Sequence, residues 1–240
     1  MYKFFISICF LLFVVDGFSQ EQQKDTIYNQ LDSLSYKTNY GLRVGIDISK
    51  PILAQFNSTY NGLELVADYR ISKKFYIATE FGFEEETSNE DFSNSTSKGN
   101  YLRVGFNYNA YKNWLNMNNE IFVGYRYGLS FFEQTLNSYS HNLVTGNSNI
   151  PIYFPSNTIN TPVTASNLNA HWSEIVVGIK AEIFNNFFAS FSGSYKVLMS
   201  VKDPSNFKTL YAPGFNRIYD SNSGFGFNYT LTYLIPFSKK

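Results

Sequence analysis

The sequence contains a single cysteine, Cys9, and only two histidines among 240 residues. One cysteine cannot form an intramolecular disulfide, and the Cys and His residues lack the spacing of a metal site. The sequence also has no phosphate-binding loop and no dinucleotide-binding fingerprint. We therefore expect no metal and no cofactor.

Charged residues are scarce, at 16% of the chain, where soluble domains have roughly a quarter. Lys+Arg and Asp+Glu are both 19, so the formal net charge is zero. A neutral chain has no basic field that would hold nucleic acid, and we expect no nucleic-acid partner. Aromatic residues, in contrast, are abundant, with 24 Phe and 19 Tyr.

Long apolar runs are absent except at residues 4–15. That run has ~12 residues, whereas a membrane-spanning helix needs about 20. Lys3 precedes it, and the small residues Gly17 and Ser19 follow it at positions suited to signal-peptidase cleavage. The pattern predicts a secretory signal peptide over residues 1–19.

Cleavage after residue 19 removes Cys9, so the mature chain must be stable without a disulfide. Residues 20–39 are polar and are predicted to form a periplasmic tail. The remaining domain, 40–240, shows no helical periodicity.

Apolar and polar residues instead alternate with period two in eight segments, which predicts eight β-strands. The last segment, FGFNYTLTYLIPF, carries a large apolar side chain at every odd position from Phe225 to Phe237. The predicted strands are 40–48, 63–71, 75–84, 101–110, 120–131, 174–183, 187–199 and 225–237.

The connections between these strands alternate between short and long. Short turns are predicted at 72–74, 111–119 and 184–186, and long solvent loops at 49–62, 85–100, 132–173 and 200–223. Short turns on one side and long loops on the other are typical of outer-membrane barrels, with the long loops extracellular.

The apolar face of these strands must point outward. It carries no charged residue and far too many Phe and Tyr side chains for the narrow interior of an eight-stranded barrel. Arginine or lysine facing the lipid midplane costs roughly 2–4 kcal/mol, which explains the absence of charge. We predict an all-β, eight-stranded antiparallel up-and-down transmembrane β-barrel, a monomer among outer-membrane lipids. Ten strands are the alternative if 132–173 hides a hairpin.

The end of the last strand resembles a known assembly signal. Phe237 is similar to the C-terminal aromatic residue read by the barrel-assembly machinery of Gram-negative outer membranes, although Thr232 stands where that pattern usually has Gly. The chain from about residue 40 resembles small barrels of the OmpA and OmpX kind. The segments GYRYGLSFF, HWSEIVVGIK and YAPGFNRIY are similar to uncharacterised outer-membrane barrels of Bacteroidota. The resemblance implies an architecture and a location, and no activity.

The inward face of the predicted barrel collects both acids and bases, and Glu84 shares that face. Buried charges must pair, so the strand pattern predicts a structural network that closes the interior. The alternative is an ion or proton path. We expect Arg43, Arg103 and Arg126 each to contact at least one of Glu64, Glu80, Glu120 or Glu174. The predicted network comprises Arg43, Asp47, Glu64, Asp68, Arg70, Glu80, Arg103, Glu120, Arg126, Glu174, Lys180, Glu182 and Lys196.

Both histidines lie in or beside the longest predicted loop. Ser138 and Ser140 precede His141, and Glu174 follows His171, but a catalytic triad is defined by geometry that spacing cannot supply. We predict a non-enzymatic structural or surface-interaction protein, with 132–173 as the largest binding loop for an unidentified extracellular ligand. A narrow channel or small-solute transporter is the alternative, and a lipid hydrolase at the barrel rim is the third.

Overall fold

The computed structural model describes residues 39–111, 118–140, 158–205 and 207–239. The predicted signal peptide 1–19, the predicted tail up to residue 38, and His141 lie outside the described residues. The described elements are β1 (Asn39–Asp47), α1 (Ser49–Phe56), β2 (Tyr60–Arg70), β3 (Phe75–Glu90), β4 (Ser93–Asn109), β5 (Glu120–Ser140), β6 (Thr158–Ile159), β7 (Val163–Phe184), β8 (Phe187–Val201), β9 (Tyr211–Ala212), β10 (Asn216–Arg217) and β11 (Ser223–Lys239).

Eight of these strands form one antiparallel ring. Its order follows the chain, β1, β2, β3, β4, β5, β7, β8 and β11, and the ring closes where β11 pairs with β1. The predicted all-β, eight-stranded, up-and-down fold is confirmed. The two-residue strand β6 only adds to the end of β5, so the described residues form eight ring strands rather than ten.

The period-two pattern places successive side chains inside and outside the ring. On β4, Arg103 points inward and is 3% exposed, whereas Val104 points outward and is 45% exposed. The same alternation on the other strands produces an outward surface that we call the apolar belt. One exposed belt residue from each ring strand is Val44, Leu65, Phe81, Val104, Val123, Val177, Phe191 and Tyr229.

The two ends of the ring differ. One end, the turn side, carries the connections 71–74, 110–119 and 185–186. The opposite end, the loop side, carries the connections that follow β1, β3, β5 and β8. Among the described residues, no helix has the length and apolarity needed to cross a membrane.

The predicted solvent loop at 85–100 is wrong. β3 and β4 continue through it as a hairpin that turns at Asp91 and Phe92. Polar side chains support the extension, since the hydroxyls of Thr87 and Thr96 lie 2.9 Å apart across the strands. β5 likewise extends to Ser140 and β7 begins at Val163, so the described ends of the predicted loop at 132–173 are strand.

Helix α1 has no counterpart in the sequence prediction, which placed a loop at 49–62. Pro51 lies in its first turn, where the missing N–H costs nothing. Its N-cap residue, Ile48, makes no side-chain hydrogen bond, but the Asp47 carboxylate accepts the N–H of Ser49 at 2.9 Å. With only eight residues, of which Ser49, Lys50 and Gln55 are polar, the helix is too short to show a clear 3.6-residue period.

The predicted solvent loop at 200–223 is also wrong in its central part. Strands β9 and β10 form a small hairpin, Tyr211–Arg217, whose residues Tyr211, Ala212 and Phe215 are buried inside the ring. We call it the plug hairpin. Gly214 adopts φ +80°, a left-handed conformation suited to glycine, and so permits the tight turn.

Candidate functional site

The interior near the turn side holds a compact set of charges. Arg43 Nε lies 2.5 Å from Asp68 Oδ1, and Arg43 Nη1 lies 2.5 Å from Glu120 Oε1. Lys180 Nζ contacts the other Asp68 oxygen at 2.5 Å. The Tyr76 ring covers the guanidinium, 4.7 Å from its centroid. Two cations and two carboxylates therefore neutralise one another out of contact with solvent.

A second charged cluster lies at mid-height in the ring, around Arg103. Its guanidinium lies 2.6 Å from Glu64, 2.8 Å from Glu80 and 3.3 Å from Glu174. Arg126 shares Glu80 at 3.2 Å. All three arginines singled out in the sequence analysis therefore contact at least one of the expected glutamates.

Lys196 connects this cluster to the plug hairpin. Its Nζ donates to the Gly214 carbonyl at 2.7 Å and lies 3.9 Å from Glu174. The indole N–H of Trp172 donates to the same carboxylate at 2.5 Å. Trp172 carries no charge, so the alternation of charged residues along the strands did not identify it as part of this cluster.

Glu84 organises the interior at the loop side. Its carboxylate accepts hydrogen bonds from Lys50 at 2.6 Å, Tyr60 at 3.0 Å, Tyr211 at 2.8 Å and the Gly214 N–H at 2.7 Å. Strand parity placed Glu84 inside the ring. Its donors were missed because all four come from segments predicted to be solvent loops.

Two predicted members, Arg70 and Glu182, lie outside the ion-pair network, contrary to expectation. Arg70 donates to the backbone carbonyls of Ser72 and Lys73 at 3.2 and 2.6 Å. The Glu182 carboxylate accepts hydrogen bonds from the Asn118 amide at 3.0 Å and from the backbone N–H of Asn186, in the β7–β8 turn, at 2.8 Å. Both face inward by parity, but both stand at the turn side, where loop backbone groups are closer than opposite charges.

Asp47 is buried without any ion pair among the described residues. Besides the N–H of Ser49, its carboxylate accepts the N–H of Tyr229 at 3.0 Å and a hydrogen bond from the Asn228 amide at 2.5 Å. Three hydrogen-bond donors stabilise its carboxylate in place of a cation. Its role is to join the end of β1 to β11, rather than to neutralise a lumen charge as predicted.

The histidine arrangement proposed for a hydrolase is not formed around His171. Its ring lies on the outward face, with Nδ1 3.3 Å from the Tyr127 hydroxyl, whereas Glu174 points into the ring. His141 falls outside the described residues. No group of acidic, His or Cys side chains in the described part of the chain could hold a metal ion.

A layer of buried apolar side chains, which we call the aromatic layer, packs around the plug hairpin inside the ring. Trp172 packs edge-on against Phe215 of the plug hairpin, with ring centroids 6.0 Å apart. Inward glycines make the room: a Cβ on Gly128 would lie 2.1 Å from the Trp172 ring, and one on Gly82 would lie 2.3 Å from Tyr101. The buried layer comprises Tyr101, Phe132, Leu168, Ala170, Trp172, Leu198, Ala212 and Phe215.

A comparison with protein families gives a match over the whole chain. The model of a domain of unknown function, DUF6048, matches residues 1–240. The chain belongs to the DUF6048 family. No curated protein and no solved structure matches it.

Two small cavities lie among the charged side chains in the interior of this DUF6048 chain. A cavity of about 40 Å³ lies between the two charged clusters, beside Asp68 and Arg126. A further one of about 10 Å³ adjoins Arg43. Since a buried water needs roughly 10–15 Å³ of such space, these cavities are large enough for a few waters at most.

The loop side, in contrast, has a cavity of about 450 Å³, which we call the mouth cavity. Its walls come from α1, the loop-side ends of β2 and β3, the plug hairpin, and β11. This volume lies in the range of roughly 300–1,000 Å³ that is usual for ligand pockets. Glu86 lies on its wall, and burial together with the nearby Glu84 carboxylate raises the pKa of Glu86 to about 7. The mouth cavity therefore has the size of a binding site.

Proposed function

We propose that this protein is a monomeric integral β-barrel of a Gram-negative outer membrane, non-enzymatic, with a closed interior and a loop side that recognises an extracellular ligand. The observation that carries the proposal is the apolar belt around a closed ring. A closed ring satisfies the backbone hydrogen bonds of its strands internally, as hydrocarbon requires. A belt of exposed Phe, Tyr, Val, Leu and Ile would be unstable in water but stable among acyl chains.

The filled interior favours a structural or recognition role over transport. Arg103 and Arg43 each contact two or more carboxylates, and the aromatic layer packs around the plug hairpin inside the ring. A pore selective for ions of one sign would more often carry a ring of one charge. The mixed and mutually neutralised charges here support a closed barrel, and the channel remains the second candidate.

Two polar pairs of strand ends supply the proposed recognition surface. On the loop side, the β3–β4 and β5–β7 pairs continue beyond the last residues of the apolar belt. Strand β5 extends as far as Ser140. Hydroxyl and amide side chains cover these extensions, including the Thr135 and Thr164 pair at 2.9 Å. Such uncharged groups form hydrogen bonds in water and do not select a ligand by its charge. On the turn side, the ring centroid of the outward Phe237 lies 6.4 Å from that of Tyr69. The barrel-assembly machinery would read Phe237 at this position.

Arginine in the apolar belt is expected to block folding into membranes. Val104→Arg and Val177→Arg should each destabilise the inserted protein by roughly 2–4 kcal/mol, because a cation would face hydrocarbon at mid-membrane. The measurement is the fraction of protein that folds into phosphatidylcholine vesicles, read from the migration of unheated samples on a gel.

Two controls define the result. Val104→Leu keeps the position apolar, and Phe92→Arg places the same charge at the tip of the β3–β4 hairpin, where Phe92 is 52% exposed. Both should fold as the wild type does. Normal folding of both belt arginine variants would show that the belt does not face lipid, and would remove the basis of the membrane proposal.

A further inference from the structure

The wall of the ring is incomplete on the loop side between β11 and β2. Pairing of β1 with β11 ends at Asp47 and Thr230, and its pairing with β2 ends at Asp47 and Glu64. Beyond these points β11 continues to Ser223 and β2 continues to Tyr60. Each is paired there on one side only, with β8 and β3 respectively. The early end of β1 therefore leaves a notch.

The notch opens at the level of the apolar belt. Two outward residues of the unpaired stretch of β11, Phe225 and Phe227, are 76% and 58% exposed. Side chains satisfy part of the strand edge, since Asn216 Nδ2 donates to the Phe225 carbonyl at 3.1 Å. This matters because an unpaired strand edge is costly in hydrocarbon.

Helix α1 lies across the notch and presents Leu53 there. Leu53 is 41% exposed, and α1 contacts both β2 and β11. Leu53 lines the mouth cavity, together with Phe225 and Phe227 of the notch. The cavity is therefore bounded by polar loop-side residues at one end and by belt residues at the other.

The cations around the mouth cavity already have partners within the protein. Lys50 contacts Glu84 at 2.6 Å, and Arg217 contacts Glu90. Lys196 is hydrogen-bonded to a plug-hairpin carbonyl at 2.7 Å. A charged ligand would gain little from them and would have to break an existing pair.

The remaining polar lining consists mainly of amides and hydroxyls. These groups come from Asn57, Thr59, Ser88 and Asn89, beside the ring of Tyr60. The carboxyl of Glu86, also on the wall, disfavours an anionic head in its ionised form. Uncharged donors and acceptors beside an aromatic ring suit a hydroxyl-bearing head.

We propose that the notch and the mouth cavity together bind an amphiphile with one apolar chain and an uncharged, hydroxyl-rich head group. The head occupies the mouth cavity, and the chain leaves through the notch past Leu53 and Phe227 into the lipid. This assignment rests on the proposed membrane location, because only there does the notch adjoin hydrocarbon.

Photo-crosslinking of the full chain in phosphatidylcholine vesicles tests this site. The probe is decyl maltoside that carries a diazirine on its chain. Cross-links should concentrate on residues 49–60 and 223–229, and unlabelled decyl maltoside should displace the probe at least about tenfold better than decyl phosphate. Maltose alone should displace it poorly, because burial of each chain methylene contributes roughly 0.8 kcal/mol.

A matched pair of variants on α1 locates the path of the chain. Leu53→Glu places a charge in the notch and should weaken probe binding by about tenfold or more. Ile52→Glu places the same charge on the same helix away from the cavity lining and should leave binding unchanged. Equal weakening by both variants would refute the path through the notch.

Two further outcomes would overturn the proposal. Cross-links spread evenly around the apolar belt would refute the site, and stronger displacement by decyl phosphate would refute the uncharged head. Resistance of the protein to carbonate extraction is measured in the same vesicles. Inserted protein with evenly spread cross-links refutes the site alone, whereas protein that is extracted by carbonate refutes the membrane location as well.

Discussion

Replacing Arg103 by methionine is expected to lower the free energy of unfolding by about 3–5 kcal/mol. The reason is that Arg103 neutralises three carboxylates, those of Glu64, Glu80 and Glu174, and is itself 3% exposed. Methionine fills a similar volume but leaves these buried acids with fewer partners. The measurement is the urea midpoint of unfolding from lipid vesicles.

Two control substitutions separate this effect from a general loss of charge. Lys98→Met removes the exposed pair with Glu133, where both side chains are more than a third exposed, and should leave the midpoint unchanged. In Arg103→Met combined with Glu64→Gln, part of the lost stability should return, because one uncompensated acid is removed. A midpoint for Arg103→Met equal to that of Lys98→Met would contradict the central role given to Arg103.

Replacing Gly214 by valine is expected to displace the plug hairpin from the ring. Gly214 has φ +80°, and a Cβ there would lie 2.5 Å from the Tyr101 ring. Left-handed backbone costs a non-glycine residue roughly 1–2 kcal/mol, and forcing atoms into a packed core typically adds 1–3 kcal/mol. The displaced hairpin also releases Lys196 and Glu84. We expect a lower urea midpoint and, in planar bilayers, a leak conductance that the wild type lacks.

The matched control for this variant is Gly224→Ala, compared with Gly214→Ala. A Cβ on Gly224 would meet Phe215 at 3.6 Å, an ordinary contact, so this change should be tolerated. Equal midpoints for the two alanine variants would show that the plug hairpin is not tightly seated. A steady, ion-selective conductance from the wild-type protein would instead favour the channel over the closed barrel.

The alternation of residues was sufficient to predict the ring and its two faces. Because side chains on a strand alternate strictly between faces, the exposed Val104 and the buried Arg103 could be assigned from their order alone. The eight strands and their up-and-down connection follow from eight alternating segments joined by short turns on one side. The same parity brought Arg43, Arg103 and Arg126 to the interior beside glutamates.

Parity, however, does not fix the height of a residue in the ring or the stagger of neighbouring strands. Arg70 and Glu182 have the right parity, but their height at the turn side gives them backbone and amide partners instead of ions. Asp47 stands where β1 ends, so that N–H groups surround it. These outcomes depend on the register between strands, which no single strand sequence contains.

The sequence by itself determined which side chains face inward and that the outward surface is apolar, because both follow from a local period of two. Only the tertiary structure decided that residues 211–217 fold back into the ring, that α1 covers a notch, and that Glu84 joins the two. These features arise from contacts between residues far apart in the chain. Segments rich in Asn, Ser and Thr have no period that records such contacts, since their positions are set by the space that the finished ring leaves for them.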